Sequence, residues 1–356
     1  MKPQYIYSFP YNNYFSNIVF DNSDTGYFIA SDHVENNEIV SCKILSISAN
    51  GEINVLINVA GIVDYKTLKI CGIFLLFGVC KKKGYKLCAY HLNGTFAWEV
   101  PFDNPILEVD CIPNGNIVVT TYAGNEKTIT WLACNGNVIN THTSCIRFAN
   151  FIPNNNCVFV STENNVMVCD FNGNIRKKID VENTVFSMWE NYSNVKNTTA
   201  NVVVTSKNAI YTINQNCDII HEYNLGTEQQ SKISNGINSY GLNCFSDNIC
   251  YVMQNGWLSG KLQKIDIIND SIIAEYNSKK MFMNTPLVTK EGKVVAVINS
   301  NCNSSNCIVF DSMLNELHKS KICGEVFKFA VNNDKIYILT LNKNLNEIEI
   351  YSLPIQ

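Results

Sequence analysis

The sequence predicts an all-β chain folded as an eight-bladed β-propeller of four-stranded antiparallel blades. Three observations predict it. Eight short apolar runs recur at a near-constant interval, each run lies between two families of turn residues, and the two chain ends hold strands that complement one another.

The runs are "YFIAS" from Tyr27, "IFLLFGV" from Ile73, "IVVTT" from Ile117, "VFVST" from Val158, "VVVTS" from Val202, "ICYVM" from Ile249, "VVAVI" from Val294 and "IYILT" from Ile336. They are apolar continuously rather than at alternate positions, the pattern of a strand covered on both faces. Their starts are 46, 44, 41, 44, 47, 45 and 42 residues apart. That interval suits one four-stranded propeller blade, with the run as its second strand, B.

Turn residues precede each run, as in "SDTG", "PNG", "PNNN" and "KEG". Asn and Gly tolerate the positive φ that tight hairpins require, so each B strand is entered from a strand A. A second family follows: Asn50-Gly51, Asn93-Gly94, Asn135-Gly136 and Asn172-Gly173, with Asn216-Cys217, Asn269-Asp270 and Leu314-Asn315 in the corresponding later places. Asn-Gly favours a type I′ turn, here predicted to join strands C and D. A pair of β-sandwiches would not repeat its turns at one period. Blade boundaries follow near 11–60, 61–102, 103–142, 143–181, 182–225, 226–278, 279–322 and 323–356, the last completed by residues 1–10.

That completion comes from the chain ends. The last unit stops at "EIEIYSLPIQ" (Glu347 to Gln356), which supplies only a C strand. "QYIYSFP" (Gln4 to Pro10) is available as the missing outer strand. The N-terminal strand is therefore expected to pair beside the C-terminal one and close the ring.

Composition narrows the function classes. A chain of 356 residues, 46% apolar, can bury a large core. A formal charge of −4 offers no basic footprint for nucleic acid. The opening "MKPQYIYSFPYNNYFSN" lacks the apolar run of an export signal, and the longest apolar stretch, Ile70 to Cys80, is too short to span a bilayer. The expectation is a cytoplasmic monomer with no membrane insertion. Fifteen cysteines include no C-x-x-C pair, and most lie inside apolar runs. They read as reduced, buried thiols rather than as disulfides or metal ligands.

The stretch "AYHLNGTFAW" (Ala89 to Trp98) resembles the PQQ-like repeat of quinoprotein-type propellers, matching it at Ala89, Gly94 and Trp98. His91 stands where that repeat has Asp. "VCDFNGNIRK" keeps Asp170 and Gly173 but has Lys177 at the tryptophan position, and "WLACNGNVIN" keeps Gly136. The chain is similar to WD40-like propellers as well, without their Gly-His and Trp-Asp dipeptides. Kinship with quinoprotein dehydrogenases would imply a vicinal cysteine pair, a stacking tryptophan and a calcium site. No two cysteines are adjacent, so neither quinone nor any other cofactor is expected. Trp98 is expected to dock against a neighbouring blade.

Residues that carry chemistry are scattered. His33, His91, His142, His221 and His318 show no metal-ligand spacing, and there is no G-x-S-x-G nucleophile or phosphate-binding glycine loop. In a propeller the B–C and D–A loops share one end, where binding residues concentrate on a rigid scaffold. That end should hold "KKKG" (Lys81, Lys82, Lys83, Gly84), "YAGNEK" with Tyr122 and Glu126, "QNGWLSG" with Trp257, "NSNCNSSN" (Asn299 to Asn306) and the insertion Gly226 to Gly241. Trp257, between glycines in a polar loop, is either a contact residue or a partly buried plug. The triple lysine is either a solvated turn or an anion site. A second insertion, Glu190 to Ala200, falls on the opposite end.

Two function classes follow. The first is a noncatalytic module presenting this end to a protein or peptide, with binding residues Trp257, Tyr122, Lys81, Lys82, Lys83 and Glu126. The second is an enzyme or a binder of small ligands or carbohydrate at the channel mouth, to which Glu108, Asp110 and Glu126 could contribute. No catalytic residue can be assigned.

Overall fold

The computed structural model describes residues 2–10, 18–35, 38–48, 50–81, 84–124, 126–144, 150–153, 158–161, 165–180, 202–205, 209–213, 219–224, 240–244, 249–255, 259–266, 268–289, 291–301, 304–332, 335–345 and 347–355. Their strands fall into eight antiparallel sheets. Seven contain at least four strands, and the fifth, among the described residues, contains Val202–Thr205, Ala209–Ile213 and Ile219–Asn224.

Each apolar run falls in an early strand of its own sheet. Phe74–Lys81, Ile117–Ala123 and Lys335–Asn342 each carry five consecutive buried residues. Continuous burial follows because both faces of strand B meet neighbouring sheets. The apolar side chains lie in layers between sheets. Ile44, Leu75 and Phe77 join the first sheet to the second, and Leu76, Val109 and Leu132 join the second to the third. Trp131 with Met167 and Cys169 joins the third to the fourth. Tyr251 and Phe310 join the sixth to the seventh, and Val297 and Ile338 join the seventh to the eighth.

The chain ends meet as their sequences predict. Gln4–Pro10 pairs antiparallel with Glu347–Pro354 and supplies the outermost strand of the eighth sheet. Phe9 is buried and stacks on Phe28 of the first sheet, with ring centroids 6.3 Å apart. Phe28 shares a core cluster with Leu339 and Ile350, so the first and last sheets pack together.

Among the described residues the hairpins are where predicted, but their type differs; Asn216-Cys217 lies outside them. Gly94 accepts the left-handed backbone at φ 87°, while Asn93 is not among the residues at positive φ. A type I′ turn would need both. Instead the Gly94 N–H donates to His91 O (2.8 Å) and the His91 N–H to Thr95 O (2.8 Å). This is a type I turn closed by a glycine bulge. The pattern recurs at Gly136 and Gly173, and in A–B turns at Gly115 and Gly292. Its reason is visible in the side chains: Asn93 Oδ1 accepts the Thr95 N–H at 3.0 Å and Asn135 Oδ1 the Asn137 N–H at 3.1 Å. Such local caps hold the asparagine at ordinary φ and leave only the glycine to reverse. Without glycine, Asp270 (φ 48°) and Leu314 (φ 60°) take that position.

A second regularity was not predicted. Where strand D leaves its hairpin, the register slips by one residue, as between Phe96 and Trp98, Trp131 and Leu132, and Thr212 and Ile213. Such a bulge sharpens the local twist and re-aims the side chains that follow it. Trp98, the first residue past its bulge, donates from Nε1 to Cys134 O on the next C–D hairpin at 3.0 Å. His221, in the same place in the fifth sheet, meets Asp270 Oδ1 of the sixth at 3.0 Å. Trp98 thus docks on its neighbour, as expected.

Candidate functional site

The B–C and D–A connections of the second and third sheets gather several of the predicted residues. Lys81 ends Phe74–Lys81 and pairs with Gly84, which opens the next strand. Tyr122 lies near the end of Ile117–Ala123, 39% exposed, and pairs with Lys127. Glu126 begins Glu126–Leu132 opposite Ala123 and is exposed. The Tyr122 N–H donates to Pro105 O at 3.1 Å, tying the B–C hairpin to the segment that enters the inner strand Ile106–Cys111. Lys82, Lys83, Trp257, Glu190 to Ala200 and most of the Gly226 to Gly241 insertion lie outside the described residues.

The structure adds residues that sequence reasoning missed. The inner strand of the second sheet is split into Ile62–Val63 and Lys69–Cys71 by a 3-10 turn, Tyr65–Thr67. Thr67 Oγ1 accepts the Gly78 N–H and donates to Asp64 O, both at 2.6 Å, so a threonine hydroxyl replaces part of the strand ladder. A β-carbon at Gly78 would stand 3.1 Å from that hydroxyl, which explains the glycine inside an apolar run. Lys66, anchored through its N–H to Asp64 Oδ1 at 2.9 Å, is exposed on this turn, which packs against Ile106–Cys111.

Charges from the two sheets meet there. Lys69 Nζ lies 3.9 Å from Asp110 Oδ1, each side chain 16% exposed, and bridges the two inner strands. Lys127 is half-buried, and burial pulls its ammonium below the ordinary lysine range. Glu108 partly restores the charge and Lys66 opposes it. Glu108 therefore belongs with Lys66 and Lys127, and Asp110, two residues further along the same strand, with Lys69, whereas Glu126 stands apart at the B–C turn. The signal in the sequence was the charged interruption "DYKTLK" before the second apolar run, which breaks a strand otherwise read as regular. Chemically the group offers ammonium and carboxylate partners beside one exposed phenol.

The histidines lie elsewhere. His142 and His221 sit on outer strands, and His142 Nε2 donates to Gly173 O at 2.6 Å. His318, also on an outer strand, hydrogen-bonds with Ser320 Oγ at 2.9 Å. His91 packs against Phe74 at 5.1 Å between ring centroids. The side chain of His33 lies outside the description. Among the described residues no group of three His, Cys, Asp or Glu is placed to hold a metal ion. None of their helices is long and apolar enough to cross a membrane.

Neither a protein-family model nor a curated protein matches this chain. Solved structures do. BamB from Moraxella catarrhalis aligns over 99% of this chain and 100% of its own, at 11% identity and a TM-score of 0.61. A europium-containing methanol dehydrogenase covers 99% of this chain and 93% of its own, at 10% identity and a TM-score of 0.61. The WD40 domain of Toxoplasma gondii coronin covers 82% and 81%, at 9% identity and a TM-score of 0.55. Identities this low speak for the fold alone: a β-propeller of the PQQ-like and WD40-like kind.

Proposed function

We propose that this protein is a noncatalytic interaction module that presents the B–C and D–A end of its sheets to a protein or peptide. One observation carries the reading: Tyr122 stands exposed on the B–C hairpin of the third sheet, with Glu126 and the half-buried Lys127 on the facing strand. An aromatic anchor ringed by charges of both signs suits a polypeptide, which offers apolar side chains, carboxylates and ammonium groups together. Lys81 extends the patch on the second sheet, and Lys82, Lys83 and Trp257 are proposed contacts on the same end. The proposal includes a cytoplasmic monomer that needs no cofactor.

The test places a photo-crosslinking amino acid at Tyr122 and, in a second variant, at Met313, which is 46% exposed on a C–D hairpin at the opposite end. Crosslinks to one defined partner are expected from position 122. Tyr122→Ala should then weaken the affinity for that partner about tenfold, an ordinary hot-spot loss. Crosslinks confined to position 313 would overturn the proposal.

A second reading, a small anionic ligand at the channel mouth, is favoured by Lys127, whose ammonium is partly desolvated beside Lys66. Saturable binding of a small carboxylate that is abolished in Lys127→Met, with no polypeptide partner crosslinked, would select it.

A further inference from the structure

Cys71 and Cys111 end the inner strands Lys69–Cys71 and Ile106–Cys111 of adjacent sheets. Each thiol reaches across to the other sheet's backbone. Cys71 Sγ lies 3.7 Å from Gly115 O, and Cys111 Sγ lies 3.3 Å from Ile70 O, the residue before Cys71. The two side chains therefore cross one another at the seam between the second and third sheets. Each thiol thus donates to the backbone beside the other, and the two are close enough to shift each other's acidity. Cys71 is buried in the apolar layer of this seam, and Cys111 is half-buried against it.

We propose that Cys71 and Cys111 are an oxidation site that a peroxide converts to an inter-sheet disulfide. The Cys71 sulfur attacks the peroxide, breaking the O–O bond. One oxygen stays as the sulfenic acid, and the other leaves as hydroxide that takes up the thiol proton to become water. The Cys111 sulfur then attacks the sulfenyl sulfur and breaks its S–O bond. The expelled hydroxide combines with the Cys111 proton as a second water, and a thiol reductant reverses the change.

The chemistry of the pair supports this order. The neighbouring Cys111 thiol holds the Cys71 thiol below its ordinary range despite burial and the nearby Asp110. The Cys71 thiol, together with burial, pushes Cys111 up. The thiolate is the attacking form, so Cys71 is the sulfur that meets the oxidant first. Cys134 and Cys323 are more exposed and lie on C–D hairpin and outer-strand positions. Among the described thiols, oxidation ruled by exposure alone would begin with them. The disulfide would tie the A–B turn end of this seam, beside the Lys69–Asp110 pair, and so couple the rigidity of the seam to the oxidant.

The experiment treats the folded, full-length protein with stoichiometric hydrogen peroxide, blocks remaining thiols with an alkylating agent and maps peptides without reduction. The expected product is a Cys71–Cys111 crosslinked peptide, lighter by two hydrogens than its parts. It should form before Cys134 or Cys323 is oxidised and should vanish on reduction. In Cys111→Ser no crosslink should form, and Cys71 should be trapped as the sulfenic acid by a dimedone probe. Recovery of Cys71 and Cys111 as unmodified thiols after Cys134 and Cys323 are fully oxidised would overturn the proposal, and this wild-type map decides it without any variant.

Discussion

Trp131 lies against the backbone of Gly173 in the next sheet. A β-carbon added at Gly173 would fall 2.6 Å from the indole Cδ2, and the glycine already holds φ 82°. One residue therefore closes a hairpin and leaves room for the docking aromatic of its neighbour. Gly136 stands in the same relation to Trp98, whose Cε3 a β-carbon would approach to 2.9 Å.

Gly173→Ala should cost about 2–4 kcal/mol, combining the left-handed backbone with overpacking against the ring. Gly115 has a similar φ of 88° but no neighbour within 4 Å of an added β-carbon, so Gly115→Ala should cost only about 1 kcal/mol. Thermal unfolding of the two variants separates the contributions. Equal midpoints would show that the tryptophan contact adds nothing.

Deleting residues 1–10 removes the outer strand of the eighth sheet together with buried Phe9. Loss of one buried phenylalanine alone is worth about 3–5 kcal/mol. A marked fall in the unfolding midpoint is expected. An unchanged midpoint would mean that this strand does not hold the first and last sheets together.

Asp21 accepts hydrogen bonds from Ser23 Oγ (2.7 Å), Ser23 N (2.8 Å), Thr25 N (3.0 Å) and Tyr27 Oη (3.0 Å). Burial pushes its carboxyl up, but the four donors together outweigh it and hold the pKa below the ordinary value. A depressed folded pKa stabilises the protein above the unfolded pKa and loses that contribution as pH falls through the folded value. The midpoint difference between wild type and Asp21→Asn should be full at neutral pH and shrink on acidification below the ordinary carboxylate pKa of about 4. A difference independent of pH would refute the assignment.

Thiol reactivity should follow position in the fold. Burial pushes Cys307 up to about 12, and burial followed by Asp170 pushes Cys169 up to about 12. Alkylation of the native protein at pH 8 is expected at exposed Cys134 and Cys323 and, in comparison, to spare Cys169, Cys250 and Cys307 until unfolding. Early labelling of Cys307 would contradict its burial in the seam between the last two sheets.

Some of the candidate site was legible before the structure and some was not. Tyr122 and Glu126 could be placed because "YAGNEK" joins two strongly patterned strands, which puts both residues at a B–C turn. Lys66 and Lys69 could not, because a regular inner strand was expected where Thr67 in fact replaces ladder hydrogen bonds to Gly78. The type I′ expectation failed for a related reason. The Asn-Gly pair marks a hairpin, but side-chain caps such as Asn93 to Thr95 choose among hairpins that the same pair permits.

By itself the sequence determined the strands, their order and the places of their turns, since runs such as "IVVTT" and turns such as "NGN" depend on residues a few positions apart. Tertiary structure alone decided which side chains meet between sheets. Trp98 with Cys134, His221 with Asp270 and Cys71 with Cys111 are tens of residues apart in the chain. Their contacts depend on the twist and outer-strand bulge of each sheet and on its packing against the next. The periodicity within one sheet carries no record of those quantities.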